Sequence, residues 1–215
     1  MLFENREQAA ERLAEKLAAY RGRTPLILGI PRGAVPMARI IAAALGGELD
    51  VVLVHKLTAP DNPEFAIGSV SERGDVYLSE DADRMRLTPA YIEREVGAQR
   101  ERLRVRRARY TPIRPPIDPA GRIVIVVDDG IATGATMIAA LRATRARQPA
   151  RLIAAVAVAP QETVDRIQLE ADEVVCLAIP AQFFAVGQFF QDFRQVTDED
   201  VLELLQAQPA KRASV

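Results

Sequence analysis

Arg122-Ile123-Val124-Ile125-Val126-Val127-Asp128-Asp129-Gly130-Ile131-Ala132-Thr133-Gly134-Ala135-Thr136 is the stretch from which the fold of this chain is read. Five branched apolar residues in succession, 123–127, predict a strand buried on both faces, the pattern of a parallel sheet covered by helices. Two adjacent carboxylates end the strand. A turn of small and hydroxyl residues follows, containing Gly130 and Gly134, and helical sequence runs over about 135–147. A helix that begins from such a turn presents unpaired backbone N–H groups and the positive end of its dipole, so an anion is favoured there. Thr133 and Thr136 add hydroxyl donors, and the glycines let the backbone come close to a ligand. Asp128 and Asp129 repel a phosphate, but they can accept hydrogen bonds from vicinal hydroxyls or sit near a divalent cation, directly or through water. A phosphate subsite and a diol subsite one turn apart match a ribose 5-phosphate.

Strands and helices alternate on either side of this stretch. Residues 6–20 are amphipathic, with Leu13 and Leu17 four apart and Asn5 placed to cap the helix. Strands are expected over 26–30 and 51–57, with an alanine-rich helix over 34–45 between them. Two later strands include 156–158 and 174–179, separated by a helix near 161–170. This alternation predicts an α/β fold with a doubly wound parallel sheet, in which ligands bind beyond the carboxyl ends of the strands. Gly33, Lys56 and Asp129 all fall at or just after such ends, so three loops are expected to converge on one site.

The 215 residues, 49% hydrophobic and 27% charged, suit one soluble domain over 1–215. A net charge of −1 argues against binding nucleic acid by bulk charge. The single Cys176 lies in an apolar run, cannot form an internal disulfide and fits a reducing cytoplasm. No apolar stretch reaches membrane-spanning length, and the charged start at Glu4, Arg6 and Glu7 lacks a signal-peptide core. The one histidine, His55, alternates onto the face opposite Lys56 and is expected to be structural. No His or Cys cluster has metal-ligand spacing, so a structural zinc is not expected.

Residues 126–136 resemble the phosphoribosyl-pyrophosphate (PRPP) motif of type I phosphoribosyltransferases over its whole length. Leu26-Ile27-Leu28-Gly29-Ile30-Pro31-Arg32-Gly33-Ala34-Val35-Pro36 resembles the family's pyrophosphate loop, and Val51-Val52-Leu53-Val54-His55-Lys56-Leu57 its next strand, which often ends in a basic residue facing the diphosphate. The likeness runs over about 5–180 and extends to a bacterial group whose acceptor is generally unassigned. It implies a type I sheet with a mobile loop over about 57–80, a small hood over about 180–193 and a frayed tail over about 208–215. It implies displacement of pyrophosphate from C1 of PRPP by a nitrogen acceptor, such as a nucleobase, with Mg2+ carried mainly by PRPP. The catalytic residues implied are Arg32, Lys56, Asp128 and Asp129, the last two also nearest the metal. Gly33, Gly130, Ile131, Ala132, Thr133, Gly134, Ala135 and Thr136 would bind substrate. Family members are commonly dimers, so a homo-oligomer is expected, with no membrane and no nucleic-acid partner.

Several features keep two readings. The family often holds its pyrophosphate loop in a non-proline cis peptide. Here the Ile30–Pro31 bond can be cis at low cost and Pro31–Arg32 only at a high one, so the isomer stays open. Lys56 either meets the diphosphate or snorkels to water. Asp61 or Glu64, in the turn-rich stretch 58–69, either assists proton transfer from the acceptor or is simply solvated, and Val70, Val76 and Tyr77 suit a hairpin around Arg73-Gly74-Asp75. Thr88-Pro89 opens a helix carrying Arg94, Arg100, Arg102, Arg104, Arg106, Arg107 and Arg109. It is either a solvated or subunit-contact face, or a basic face for RNA, DNA or another partner, the working surface of a non-catalytic PRPP-binding regulator. A hydrolase reusing the site is a third possibility. The Phe-rich run 183–190 either stacks a flat base or packs the chain's end onto the core. Families acting on 6-oxopurines usually carry an acid where this chain has Ala132, which argues against a 6-oxopurine acceptor.

Overall fold

The computed structural model describes residues 2–79, 82 and 84–206, leaving aside the side chains of Pro63 and Glu64. The expectations for the Glu64 carboxylate and for the tail over 208–215 therefore lie outside the described residues. Five parallel strands form the central sheet: β1 (Leu26–Gly29), β2 (Glu48–Val51), β6 (Ile123–Asp128), β7 (Arg151–Val158) and β8 (Glu173–Ala178), in the order β2-β1-β6-β7-β8. Successive side chains on these strands enter opposite cores, as the pleat requires. Ile125, Val127, Ile153 and Ala155 join the core under α1 (Arg6–Lys16), α2 (Val35–Leu45) and α6 (Asp198–Gln206). Val124, Val126, Leu152 and Ala154 join the core under α4 (Ala135–Arg145) and α5 (Gln161–Gln168). Both faces are covered, which is why β6 reads as an unbroken apolar run.

The strand order reverses between β1 and β6, which pair in register from Leu26 opposite Val124 to Gly29 opposite Val127. The loops that leave these two strands therefore part in opposite directions and open a crevice at their carboxyl ends. Caps fix where the helices begin: Asn5 accepts from the Gln8 amide at α1, Thr88 from Tyr91 at α3 (Pro89–Tyr110), and Thr197 and Asp200 bond reciprocally at α6.

The structure corrects the expectation for 51–57. The apolar run is two strands: β2 ends at Val51, and β3 (Val54–Ala59) belongs to a separate antiparallel sheet with β4 (Asn62–Ser71) and β5 (Val76–Leu78), in the order β3-β4-β5. Val52 and Leu53 at the break are as buried as the strands, so hydrophobicity alone does not mark it. The turn-rich stretch 58–69 is likewise mostly strand. Pro60 and Asp61 make the tight turn between Ala59 and its partner Asn62. The hairpin around Arg73-Gly74-Asp75 is as expected, with Val70 opposite Val76.

Candidate active site

The crevice between β1 and β6 is where the two most distinctive loops meet. Gly33 sits so close to the acidic pair that a Cβ built on it would lie 2.2 Å from Asp129 Oδ2. Only glycine allows this approach. The Pro31–Arg32 bond is cis, so the isomer left open by the sequence is decided at the bond after the proline. Arg32, Gly33 and Asp129 line one cleft of about 440 Å³, together with Arg6, Val186, Phe193, Gln195 and Val196. Gly130 meets the chain's later segment in the same intimate way: a Cβ there would fall 2.2 Å from Val186 Cγ1.

Arg6, at the first position of α1, holds Asp129. Its Nε and Nη2 both lie 2.8 Å from Asp129 Oδ2, and its Nη1 donates to the Arg194 carbonyl at 2.7 Å. The guanidinium also lies over the Phe193 ring, 3.8 Å from its centroid. Nothing in the local sequence distinguishes Arg6 from any exposed helical arginine, so sequence reasoning misses it. Asp128 Oδ1 accepts from the Asp129 amide at 2.9 Å. Burial and the neighbouring Asp129 charge push the Asp128 carboxyl well above the ordinary carboxylate range. Burial pushes Asp129 up as well, with Arg6 pulling against it.

Beyond the acidic pair, Gly134 adopts a left-handed backbone, φ 81°, and starts α4. The first turn of α4 leaves the amides of Ala135, Thr136 and Met137 without intrahelical acceptors. Ile131 is anchored by its amide to Val158, and Thr133 and Thr136 are exposed. The loop thus combines a fixed base with donors turned outward, a concavity suited to an anion. For a cation the donor set is thin. Among the described residues no three His, Cys, Asp or Glu side chains cluster as a metal site. Asp128 and Asp129 supply hard carboxylate oxygens, which fits a magnesium ion that keeps most of its ligands from a bound phosphate compound.

A model of the phosphoribosyl transferase domain family matches residues 2–189. The chain belongs to this family. Two Mycobacterium tuberculosis proteins, MT0597 of strain CDC 1551 and Rv0571c of strain H37Rv, carry names that assign them provisionally to the phosphoribosyl transferases. Each is 42% identical to this phosphoribosyl transferase domain over 205 residues, 95% of the chain and 46% of its own length. The chain thus spans about half the length of the curated relatives it matches. The crystal structure of TT1426 from Thermus thermophilus superimposes with a TM-score of 0.87 at 48% identity, covering 96% of this chain and 98% of that one.

Of the residues singled out in the sequence, the phosphoribosyl transferase domain brings Arg32, Gly33 and Asp129 onto one cleft, with Asp128, Gly130, Ile131, Ala132, Thr133, Gly134, Ala135 and Thr136 continuing from it along the chain. Lys56 is a correction. It does not end a strand of the parallel sheet but stands inside β3, opposite Ser69. The expected convergence of three parallel-strand ends is a convergence of two. The Phe-rich run packs in part onto the core. Phe189 and Phe190 are buried, Phe183 packs on Phe189 with centroids 5.4 Å apart, and Phe193 lies between Phe190, at 4.9 Å, and Arg6. Phe193, just beyond that run, thereby braces Arg6, whereas Phe184 within the run stands 86% exposed.

Proposed function

We propose that this domain transfers the 5-phosphoribosyl group from PRPP to a nitrogen acceptor and releases pyrophosphate. The observation that carries this is the contact of the Gly33 loop with Asp129 at the reversal of the sheet, with an anion-binding turn directly behind it. A pyrophosphoryl group and a ribose 5-phosphate need those two loops at one distance and in one orientation. The amides and hydroxyls of residues 130–136 would hold the 5-phosphate. Asp128 and Asp129 would accept hydrogen bonds from the ribose hydroxyls. Arg32 and the amides beside Gly33 would take the diphosphate.

Displacement at C1 places positive charge on the ribosyl ring and negative charge on the departing diphosphate. The protein's part is to hold the sugar and to stabilise both charges with groups already in place. The acidic pair would face the developing cation, and Arg32 the leaving group. Magnesium, when bound with PRPP, supplies further neutralisation of the diphosphate. Asp128 and Asp129 are the residues that would contact it or its water. Lys56, carried on β3 of the other sheet, would bring its charge to the diphosphate from that side.

The arginines of α3 do not favour a regulator that works through a basic surface. Arg107 is buried against Glu72 and Asp50, Arg104 pairs with Glu101, and Arg109 pairs with Asp198 and Glu199. A screen of purines, pyrimidines and small amines for magnesium-dependent pyrophosphate release from PRPP tests the proposal. Release with one acceptor class, abolished in the double variant Asp128→Asn and Asp129→Asn, is the expected result. Full activity in the double variant would refute the site.

A further inference from the structure

The turn that precedes α4 is tied from behind by α5. Thr163, buried at 4% exposure, donates from Oγ1 to the Ala132 carbonyl at 2.6 Å. Arg166, one turn further along the same helix, donates from Nη1 to the Thr133 carbonyl at 3.1 Å. A trans peptide is planar, and its C=O and N–H point in opposite directions. Fixing the Ala132 carbonyl toward α5 therefore turns the Thr133 amide away from α5. Fixing the Thr133 carbonyl does the same for the amide of Gly134. The Thr163 methyl closes the remaining freedom, since a Cβ on Gly134 would lie 3.0 Å from Thr163 Cγ2. Two consecutive N–H groups are thus aimed into the mouth of the turn, in line with the unpaired amides of the first turn of α4.

We infer that Thr163 and Arg166 are positioning residues for a sugar phosphate: by holding the carbonyls of Ala132 and Thr133, they aim the loop's amides at the 5-phosphate. This rests on the proposed binding of PRPP between the acidic pair and the turn. Neither side chain need touch the ligand. The device preorganises donors, and donors already in place cost nothing to orient when the anion arrives. It also separates the two ends of the substrate. The turn governs the 5-phosphate, whereas the diphosphate falls to Arg32 and Gly33 on the other loop. Damage to the α5 tie should therefore be felt by one end only.

Calorimetric titration of the whole chain with PRPP, ribose 5-phosphate and inorganic pyrophosphate, each with magnesium, tests this. Thr163→Val keeps the shape and removes the donor; Thr163→Ser keeps the hydroxyl. Thr163→Val should bind PRPP and ribose 5-phosphate about tenfold more weakly or worse, as expected when a charge-assisted hydrogen bond is misaimed. Its pyrophosphate affinity should stay within about twofold of the parent's, and Thr163→Ser should recover most of the loss. Arg166→Gln should show the same selective loss at a smaller size. Equal weakening toward all three ligands would mark Thr163 as merely structural and overturn the inference. So would unchanged sugar-phosphate binding in Thr163→Val. A parent chain that binds neither PRPP nor ribose 5-phosphate would overturn the proposed function itself, an outcome distinct from either of these.

Discussion

Gly33 and Asp129 show what one atom decides in this site. With the carboxylate oxygen 2.2 Å from where a Cβ would stand, Gly33→Ala forces either the loop or Asp129 to move. A displacement of about 1 Å in a catalytic group commonly costs about a hundredfold in rate. Gly33→Ala should therefore lose about a hundredfold in pyrophosphate release while its far-ultraviolet circular dichroism stays that of the parent. Loss of the folded spectrum, or unchanged release, would contradict the close contact as a functional feature. Gly33 was legible because its neighbours resemble a known loop. Arg6 was not, because its partner Asp129 is 123 positions away and its ring partner Phe193 lies in yet another segment. A helix-opening arginine looks the same whether it meets water or a buried carboxylate.

The elements are held by caps, strand pairing and a few carboxylates that bridge them. Asp172, just before β8, accepts from the Leu152 amide at 2.7 Å and from Arg145 at 2.7 and 3.2 Å, tying the last turn of α4 to the start of β7. The hydrogen bonds from Arg145 come first among the causes that hold its carboxyl below the ordinary carboxylate range. A group depressed in the folded state stabilises the fold above its unfolded pKa, and the gain is lost as pH falls through the folded value. The pair with Arg145 is half exposed, so the bond to the Leu152 amide should dominate. Asp172→Asn should cost about 1 kcal/mol at pH 7, or roughly 3 °C in Tm, and the gap to the parent should narrow at a pH below the ordinary aspartate range, as the folded-state carboxyl protonates. Thermal unfolding at the two pH values checks this; a gap that persists in acid would contradict it. Where the elements begin was mostly legible, since Asn5 and Thr88 cap helices as read. The break between β2 and β3 was not, because a continuous apolar run reports burial and burial continues through Val52 and Leu53.

The two sheets of the molecule are bridged by α4, which packs against β3 and β4 as well as β6 and β7. Arg107 of α3 adds a polar junction between them. It reaches Asp50 and the Val51 carbonyl at the end of β2, at 3.3 and 3.0 Å, and pairs with Glu72 just past β4. Removing one member of a buried ion network leaves the others unpaired, which typically costs about 3–5 kcal/mol. Arg107→Met should lose stability of this order in urea unfolding, and a loss below about 1 kcal/mol would show that the junction rests on apolar packing instead. The exposed arginines of α3 offer no such prediction, and their sequence pattern does not separate them from Arg107.

The amino-acid sequence by itself determined the strand, acidic pair, turn and helix of residues 122–145, the doubly wound sheet, and the family. Each is written in local periodicity and local chemistry, which neighbours along the chain suffice to express. Tertiary structure decided that β3 leaves the parallel sheet and takes Lys56 with it. It also decided that Arg6 clasps Asp129, that Phe193 is spent on bracing Arg6, and that α5 aims the turn. These depend on which distant segments fill the same space, and a side chain's surroundings at that range are set only when the core closes.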